Sequence, residues 1–309
     1  MSIGYKVFTY LHYNNVEYVN FPMKSRKEAV HMKKMPLTAK ICLLSAGVLT
    51  LLGVILRTVA MFVCYDGEVG YFDSTPLSLL LTILSFAAAL LPLPLTLLIP
   101  KGSLPTTWPI FKRNIVAVVP FALFAVAGGW TLWVGVSGDS ATMLLLSGIL
   151  ALASALYYIM TTGKTAPHLV AWIGYLPILW GLISMAETYT DQWTTMNSPI
   201  KLALQFGFLG VMLVTVSELR FLLGKPAPRA SLCFHSIAIY FCLTGSIPTL
   251  VALAAGILDR PIHGAYALGC LGVGIYAAVR LVVYLLFPDI SGNTPETEVS
   301  STDAEADAQ

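Results

Sequence analysis

The sequence predicts an all-α protein, a polytopic transmembrane bundle of eight helices. Of its 309 residues, 57% are hydrophobic and only 11% are charged, whereas soluble domains average about 45–50% apolar and about 25% charged residues. So few charges cannot cover a water-soluble domain, which excludes an ordinary soluble enzyme. The 18 Lys and Arg residues are nearly balanced by 16 Asp and Glu residues, and we therefore expect no nucleic-acid partner, since nucleic-acid binding needs a broad basic face.

Eight separate segments are long enough to span a membrane. A spanning helix needs about 20 mostly apolar residues, because the hydrocarbon core is about 30 Å thick and each residue rises about 1.5 Å. Continuous segments of this length indicate helices, since the strands of a membrane barrel are about ten residues long with alternating polarity. The predicted spans are Lys40–Val63, Pro76–Ile99, Ile115–Val136, Ala141–Thr162, Leu169–Glu187, Pro199–Leu222, Leu232–Ile257 and Gly264–Phe287.

The distribution of basic residues predicts the orientation. Six Lys and Arg residues precede the first span, whereas residues 64–75 contain three acidic residues and no Lys or Arg. The bias continues along the chain, with Lys201 and Arg260 as exceptions. Because cytoplasmic loops carry the excess of Lys and Arg, we expect both termini in the cytoplasm.

The chain divides into three predicted regions. Residues 1–39 form a basic cytoplasmic arm, and residues 40–288 form the transmembrane domain. Residues 289–309 are acidic and lack aromatic side chains, so they bury too little apolar surface to fold and are predicted to be a disordered cytoplasmic tail. Alternative start methionines in the arm are Met23, Met32 and Met35.

No motif for catalysis or metal binding is visible. None of the five cysteines forms a C-x-x-C pair, and none of the five histidines lies in an H-E-x-x-H motif. The chain contains neither a phosphate-binding G-x-x-x-x-G-K-[ST] loop nor a G-x-S-x-G nucleophile elbow. We therefore expect no catalytic residues, no metal site and no cofactor, and an enzyme is the least favoured class.

Charged residues within the spans are the more informative feature. Each costs at least about 2.5–3.5 kcal/mol at the centre of a span, so a functional role is the default hypothesis. By depth, Arg57 should meet Glu187 or the loop that carries Asp66 and Glu68 near the outer face, and Arg280 should meet Glu218 near the inner face. Two charge pairs flanking an apolar centre would suit a two-gated pathway, and structural ion pairs are the alternative.

Glycine and proline suggest two interrupted helices and an internal repeat. At a shift of roughly 120 residues, Gly128 and Gly129 in the third span fall near Gly245 and Pro248 in the seventh. The pattern predicts two repeated units of four spans each. Because interrupted helices at matching positions of two halves often form a substrate site, these residues are helix-break candidates.

Small residues form a stripe in the eighth span. Cys270, Gly274 and Ala278 recur every four residues, which allows close approach of another helix in lipid. The partner is either a helix of the same chain or a second copy, so a homodimer or a larger membrane complex is an open alternative.

One stretch resembles a known group of proteins. Leu56–Arg57, Tyr65–Asp66 and Gly70–Tyr71–Phe72 are similar to the first span and external loop of uncharacterised, roughly eight-span membrane proteins of clostridial-type bacteria. The resemblance covers about 20 residues at the end of the first span and brings no known activity. It implies a bacterial cytoplasmic membrane and draws attention to Arg57, Asp66 and Gly70.

Two functions from different classes agree with these observations. The first is a permease-like protein that binds or transports a small molecule or ion, which the charges within spans and the predicted helix breaks favour. The second is a non-catalytic membrane subunit or sensor that acts through protein partners, which the absence of a deep central carboxylate favours.

Overall fold

The computed structural model describes residues 36–67, 70–73, 75–104, 115–137, 142–161, 167–191, 195 and 198–286. Eight helical segments, two of them each made of two consecutive helices, are long and apolar enough to cross a membrane, which confirms the predicted all-α class and the eight spans and indicates a multi-pass membrane protein. Nearly all of the predicted basic arm, and the whole predicted acidic tail, lie outside the described residues. The orientation of the termini stays a prediction.

Ten α-helices and one short hairpin make up the described chain. The helices are α1 (Leu37–Val63), α2 (Thr75–Leu90), α3 (Pro92–Leu97), α4 (Val118–Ser137), α5 (Thr142–Met160), α6 (Pro167–Ile173), α7 (Tyr175–Thr190), α8 (Pro199–Leu222), α9 (Pro228–Ala254) and α10 (Pro261–Leu286). The antiparallel hairpin pairs β1 (Tyr65–Asp66) with β2 (Tyr71–Phe72). It lies between α1 and α2, and we call this end of the bundle the hairpin end.

Two spans are interrupted by proline. The second span is divided into α2 and α3 at Leu91, directly before Pro92. The fifth is divided into α6 and α7 at Gly174. Pro177 has no N–H to donate to the carbonyl of Ile173, the last residue of α6, so the helical hydrogen-bond pattern is interrupted there.

The last three spans form the centre of the bundle. More than half of each is buried, whereas less than a third of α1 and of the second span is buried. α9 packs against α8, α10 and α1, and α4 packs against α5 and α10. Buried aromatic rings fill the middle, where Trp180 contacts Phe124 and Phe208 with ring centroids 4.7 and 5.3 Å apart.

Candidate functional site

A buried ion pair lies near the end of the bundle opposite the hairpin end. Nε of Arg280 is 3.4 Å from Oε1 of Glu218, and both side chains are more than nine-tenths buried. Tyr276 donates a hydrogen bond of 2.8 Å to the same oxygen, and Tyr157 donates one of 3.0 Å to Oε2. The pairing of Arg280 with Glu218 expected from their depths is therefore present.

This cluster is balanced in charge, and both oxygens of its carboxylate are hydrogen-bonded. Both oxygens of Glu218 accept a phenol hydrogen bond, and the Arg280 guanidinium also lies over the Tyr276 ring, 5.5 Å from its centroid. A buried pair needs such additional partners to offset the loss of water. The cluster joins α5, α8 and α10, so its geometry suits a brace between helices.

Arg57 does not form an ion pair with Glu187 or Asp66, and the third expected partner, Glu68, lies outside the described residues. Its Nη2 donates to the carbonyl of Pro199, the first residue of α8. Neither Glu187 nor Asp66 lies within ion-pair distance of it, nor does any other carboxylate of the described residues. The reason is the packing: α1 packs against α9 and α2, whereas α7, which carries Glu187, packs against α5 and α8.

Glu187 belongs to a different polar group at the hairpin end. It is in electrostatic contact with Tyr266 of α10. The Ser147 and Ser184 hydroxyls share a buried hydrogen bond of 2.7 Å nearby, between α5 and α7. Glu187 therefore contacts the core of the bundle and does not form the predicted gate with Arg57.

Lys201 is a buried cation that the sequence analysis treated only as an exception to the charge bias. Its side chain is 1% exposed, and Nζ donates to the carbonyl of Asp191, just beyond the end of α7. Lys201 lies in the first turn of α8, directly after the connection that begins at Asp191. This closeness in sequence was a signal that the lysine side chain reaches back to the connection. The contact ties the start of α8 to the end of α7.

Arg57 lines a cleft between α2 and α8. These two helices make no extensive contact, and the space between them is a cavity of about 470 Å³. Its volume is in the range of small-molecule pockets, roughly 300–1,000 Å³. The inner wall is apolar and includes Phe206 and Phe241, whose rings stack with centroids 4.7 Å apart.

The β-hairpin closes one end of this cleft. Tyr71 and Phe72 of β2 line it. Tyr65 of β1 packs edge-on against Phe72, with ring centroids 6.1 Å apart, and contacts Ser198, the residue that caps α8. Burial raises the pKa of the Tyr65 phenol above its ordinary value. The hairpin is therefore anchored to the same helix that supplies one wall of the cleft.

The opposite side of the cleft is open. Thr82, Phe86 and Leu202 form its rim and are exposed, although all three lie within spans. An exposed residue within a span faces hydrocarbon when the protein is in a bilayer. The cleft therefore opens sideways toward lipid, with Arg57 on its wall.

A close approach of Tyr240 to α1 sets the surroundings of Arg57. A Cβ on Gly53 would be 2.7 Å from Cε2 of Tyr240, so only glycine leaves room for that ring. Gly53 lies four residues before Arg57, on the same face of α1, and Tyr240 is in electrostatic contact with the guanidinium. The Tyr240 hydroxyl also shares a 3.2 Å hydrogen bond with Ser85 of α2. These contacts hold Arg57 beside the cleft.

The helix breaks predicted at the glycines are absent. α4 continues through Gly128 and Gly129. Gly128 serves close packing instead, because a Cβ there would be 2.9 Å from the backbone nitrogen of Leu152 in α5. A Cβ on Gly129 would have no atom of the described residues within 4 Å, so packing does not require a glycine at this position.

α9 is likewise continuous through Gly245 and Pro248. A Cβ on Gly245 would be 2.7 Å from the carbonyl oxygen of Ala203 in α8, so this glycine also serves close packing. Proline within a spanning helix is tolerated where neighbouring groups satisfy the freed carbonyl. The actual interruptions, at Leu91 and Gly174, lie shortly before Pro92 and Pro177. The internal repeat stays a prediction.

The small-residue stripe of the eighth span packs within the chain. A Cβ on Gly207 of α8 would be 2.9 Å from Sγ of Cys270, and a Cβ on Gly274 would be 2.7 Å from a methyl group of Leu243 in α9. The stripe therefore allows α10 to approach α8 and α9 closely.

No protein-family model, curated protein or solved structure matches this chain. The functional conclusion therefore depends on the geometry of the cleft and of the buried ion pair.

Proposed function

We propose that this multi-pass membrane protein is permease-like and binds a small molecule with an anionic group at Arg57, in the cleft between α2 and α8. The observation that carries the proposal is a cation within a span, at the wall of a cavity, with no carboxylate partner among the described residues. A charge within a span costs free energy, so a functional role is the default hypothesis.

The two candidate charge sites differ in a way that assigns them different roles. The Arg280–Glu218 pair is buried and neutral, with both carboxylate oxygens accepting hydrogen bonds. Arg57 has one hydrogen bond from its guanidinium to protein, the one to Pro199, and a guanidinium has five N–H donors. An anionic group in the cleft would accept from the remaining donors, and the cleft is therefore the binding site in our proposal.

Native mass spectrometry of the protein released from lipid nanodiscs tests the proposal. We expect a reproducible small-molecule adduct on the wild-type chain and its loss in Arg57→Gln, which removes the charge and keeps a polar side chain. Arg57→Lys should retain part of the adduct, because it keeps the charge but not the fork of donors. Once the adduct is identified, its flux into proteoliposomes tests the permease-like activity.

The matched control is Arg220→Gln. Arg220 lies in the last turn of α8, is exposed and is far from the cleft, so its loss should leave the adduct unchanged. An adduct that survives Arg57→Gln at the wild-type level would overturn the proposal.

A second candidate function is a non-catalytic subunit or sensor. The observation that favours it is the neutral, dehydrated Arg280–Glu218 cluster, which resembles a structural brace more than a gate. A stoichiometric second protein in the same mass spectra, without any small adduct, would favour this function. A second copy of the chain at that position would instead indicate the homodimer.

A further inference from the structure

We infer that the cleft selects an amphipathic anion, a hydrocarbon chain ending in a carboxylate or phosphate, which enters sideways from the bilayer. This inference rests on the proposed function, because it assigns the chemical class of the molecule held at Arg57. It goes further in naming a tail, a route of entry and a limit on chain length.

The depth of Arg57 suits a lipid headgroup. Arg57 lies six residues before the end of α1, about 9 Å along the helix axis. α1 has 27 residues and is therefore about 40 Å long, some 10 Å longer than the hydrocarbon core. With the helix centred, the guanidinium lies only a few ångströms inside the hydrocarbon boundary, at the level where anionic headgroups end and their chains begin.

The rest of the cleft suits a tail. Away from the hairpin end, beyond Arg57, the lining of the cleft is mainly apolar, and Leu81, Ala203 and Phe241 are all buried at its inner wall. The α2 residues that line it extend from Ser78 to Ala89, which is about 16 Å along the helix axis. One leaflet of a core about 30 Å thick has nearly the same depth.

The open side of the cleft determines how the molecule enters. Thr82 and Phe86 of α2 and Leu202 of α8 border an opening that faces hydrocarbon, and the hairpin residues Tyr71 and Phe72 cover the end toward water. A tail already in the bilayer slides into the gap without crossing water. The tail is in apolar surroundings both in the bilayer and in the cleft, so its transfer contributes little binding free energy. It positions the molecule, and the anionic group determines the selectivity.

These features exclude two other classes of ligand. A neutral amphiphile gains at most a hydrogen bond from Arg57 and no attraction between opposite charges, and a small hydrophilic anion would leave the apolar wall uncovered and must pass the hairpin. The inference therefore makes two separate demands on the ligand, an anionic group and a hydrocarbon chain, and each can be removed independently.

The experiment compares four probes on the full chain in nanodiscs, with adducts counted by native mass spectrometry. The probes are hexadecanoate, hexadecanol at the same mole fraction of the membrane, dioleoyl phosphatidate, and acetate in the surrounding buffer. We expect adducts with hexadecanoate or phosphatidate, at least tenfold less with hexadecanol, and none with acetate. A preference for phosphatidate identifies a membrane phospholipid as the source, and a preference for hexadecanoate identifies a free acid.

Two variants assign the adducts to the cleft. Arg57→Gln should reduce binding of both anionic amphiphiles at least tenfold, whereas Arg220→Gln should not. Ala89→Trp should fill the end of the cleft away from the hairpin and shift the longest bound alkyl carboxylate to shorter chains, while octanoate still binds. Each variant is first checked for a single, monodisperse elution peak.

The outcomes separate the inference from the proposed function. Equal binding of hexadecanol and hexadecanoate, or acetate binding that depends on Arg57, would overturn the amphipathic-anion inference. Arg57-dependent acetate binding would nevertheless support an anion site in the cleft. Hexadecanoate binding that is unaffected by Arg57→Gln would overturn both, and an unchanged chain-length limit in Ala89→Trp would overturn the assigned position of the tail.

Discussion

The buried pair of Arg280 and Glu218 predicts a large energetic coupling between two residues. At 3.4 Å, two unit charges attract by about 5 kcal/mol at an effective dielectric constant near 20. Much of this attraction only offsets the cost of removing both groups from water. Arg280→Met removes one partner and leaves the carboxylate buried without its counter-charge. We therefore expect it to lower the free energy of unfolding by about 3–5 kcal/mol.

The double variant Glu218→Gln/Arg280→Met should be less destabilised than Arg280→Met alone. Its glutamine is neutral, and its one carbonyl oxygen still accepts from one of the two phenols, Tyr157 or Tyr276, that hydrogen-bond the two oxygens of the carboxylate. We expect a coupling energy of at least about 2 kcal/mol in the double-mutant cycle. Arg220→Met is the matched control, because Arg220 is exposed, and should change the free energy of unfolding by no more than about 0.5 kcal/mol.

Equilibrium unfolding in mixed micelles of dodecylmaltoside and SDS, followed by tryptophan fluorescence, measures the free energies of the wild type, Glu218→Gln, Arg280→Met, the double variant and Arg220→Met. An additive cycle would refute the reasoning, because it would mean that the two side chains do not stabilise each other. A loss for Arg280→Met no larger than that for Arg220→Met would refute the burial of the pair.

Two further predictions use neighbouring or matched positions as controls. Gly128→Ala should be less stable than Gly129→Ala by about 1–3 kcal/mol in the same unfolding assay, because both gain the helix propensity of alanine but only Gly128 is overpacked against α5. Equal stabilities would contradict the close approach of α4 and α5. Trp180→Ala should cost about 3–5 kcal/mol, since the ring is fully buried among aromatic side chains. Trp172→Ala, at a ring that is 73% exposed, should cost far less, and a similar loss for both would place Trp180 outside the core.

Local signals set the ends of some spans closely. The predicted bounds of Pro199–Leu222 are those of α8, because Ser198 accepts a hydrogen bond from the Ile200 backbone and Pro199 suits the first turn. The second and fifth spans were predicted as single segments and are each divided in two. These segments are hydrophobic throughout, but a proline such as Pro177 cannot donate a hydrogen bond to the carbonyl four residues earlier, and the helix is therefore interrupted.

The candidate site was predictable only in part. The sequence singled out Arg57, Arg280 and Glu218 because a charge in a span is costly wherever it lies. It placed Arg280 beside Glu218 correctly, since depth along two helices was enough. For Arg57 the expected partners Glu187 and Asp66 were wrong, because depth does not show which side of a helix faces which neighbour, and Glu68 lies outside the described residues.

The sequence by itself determined the fold class and the eight spans, because bilayer thickness and the need to satisfy every backbone group act on each segment separately. Only the tertiary structure decided that Arg57 lines a cleft, that Glu218 accepts from tyrosines of two other helices, and that Gly128 and Gly245 serve packing. In lipid, no hydrophobic force favours one apolar face of a helix over another. Which face of a helix contacts which neighbour is therefore determined by close packing and polar contacts between residues far apart in the chain. The sequence of a single segment does not contain this information.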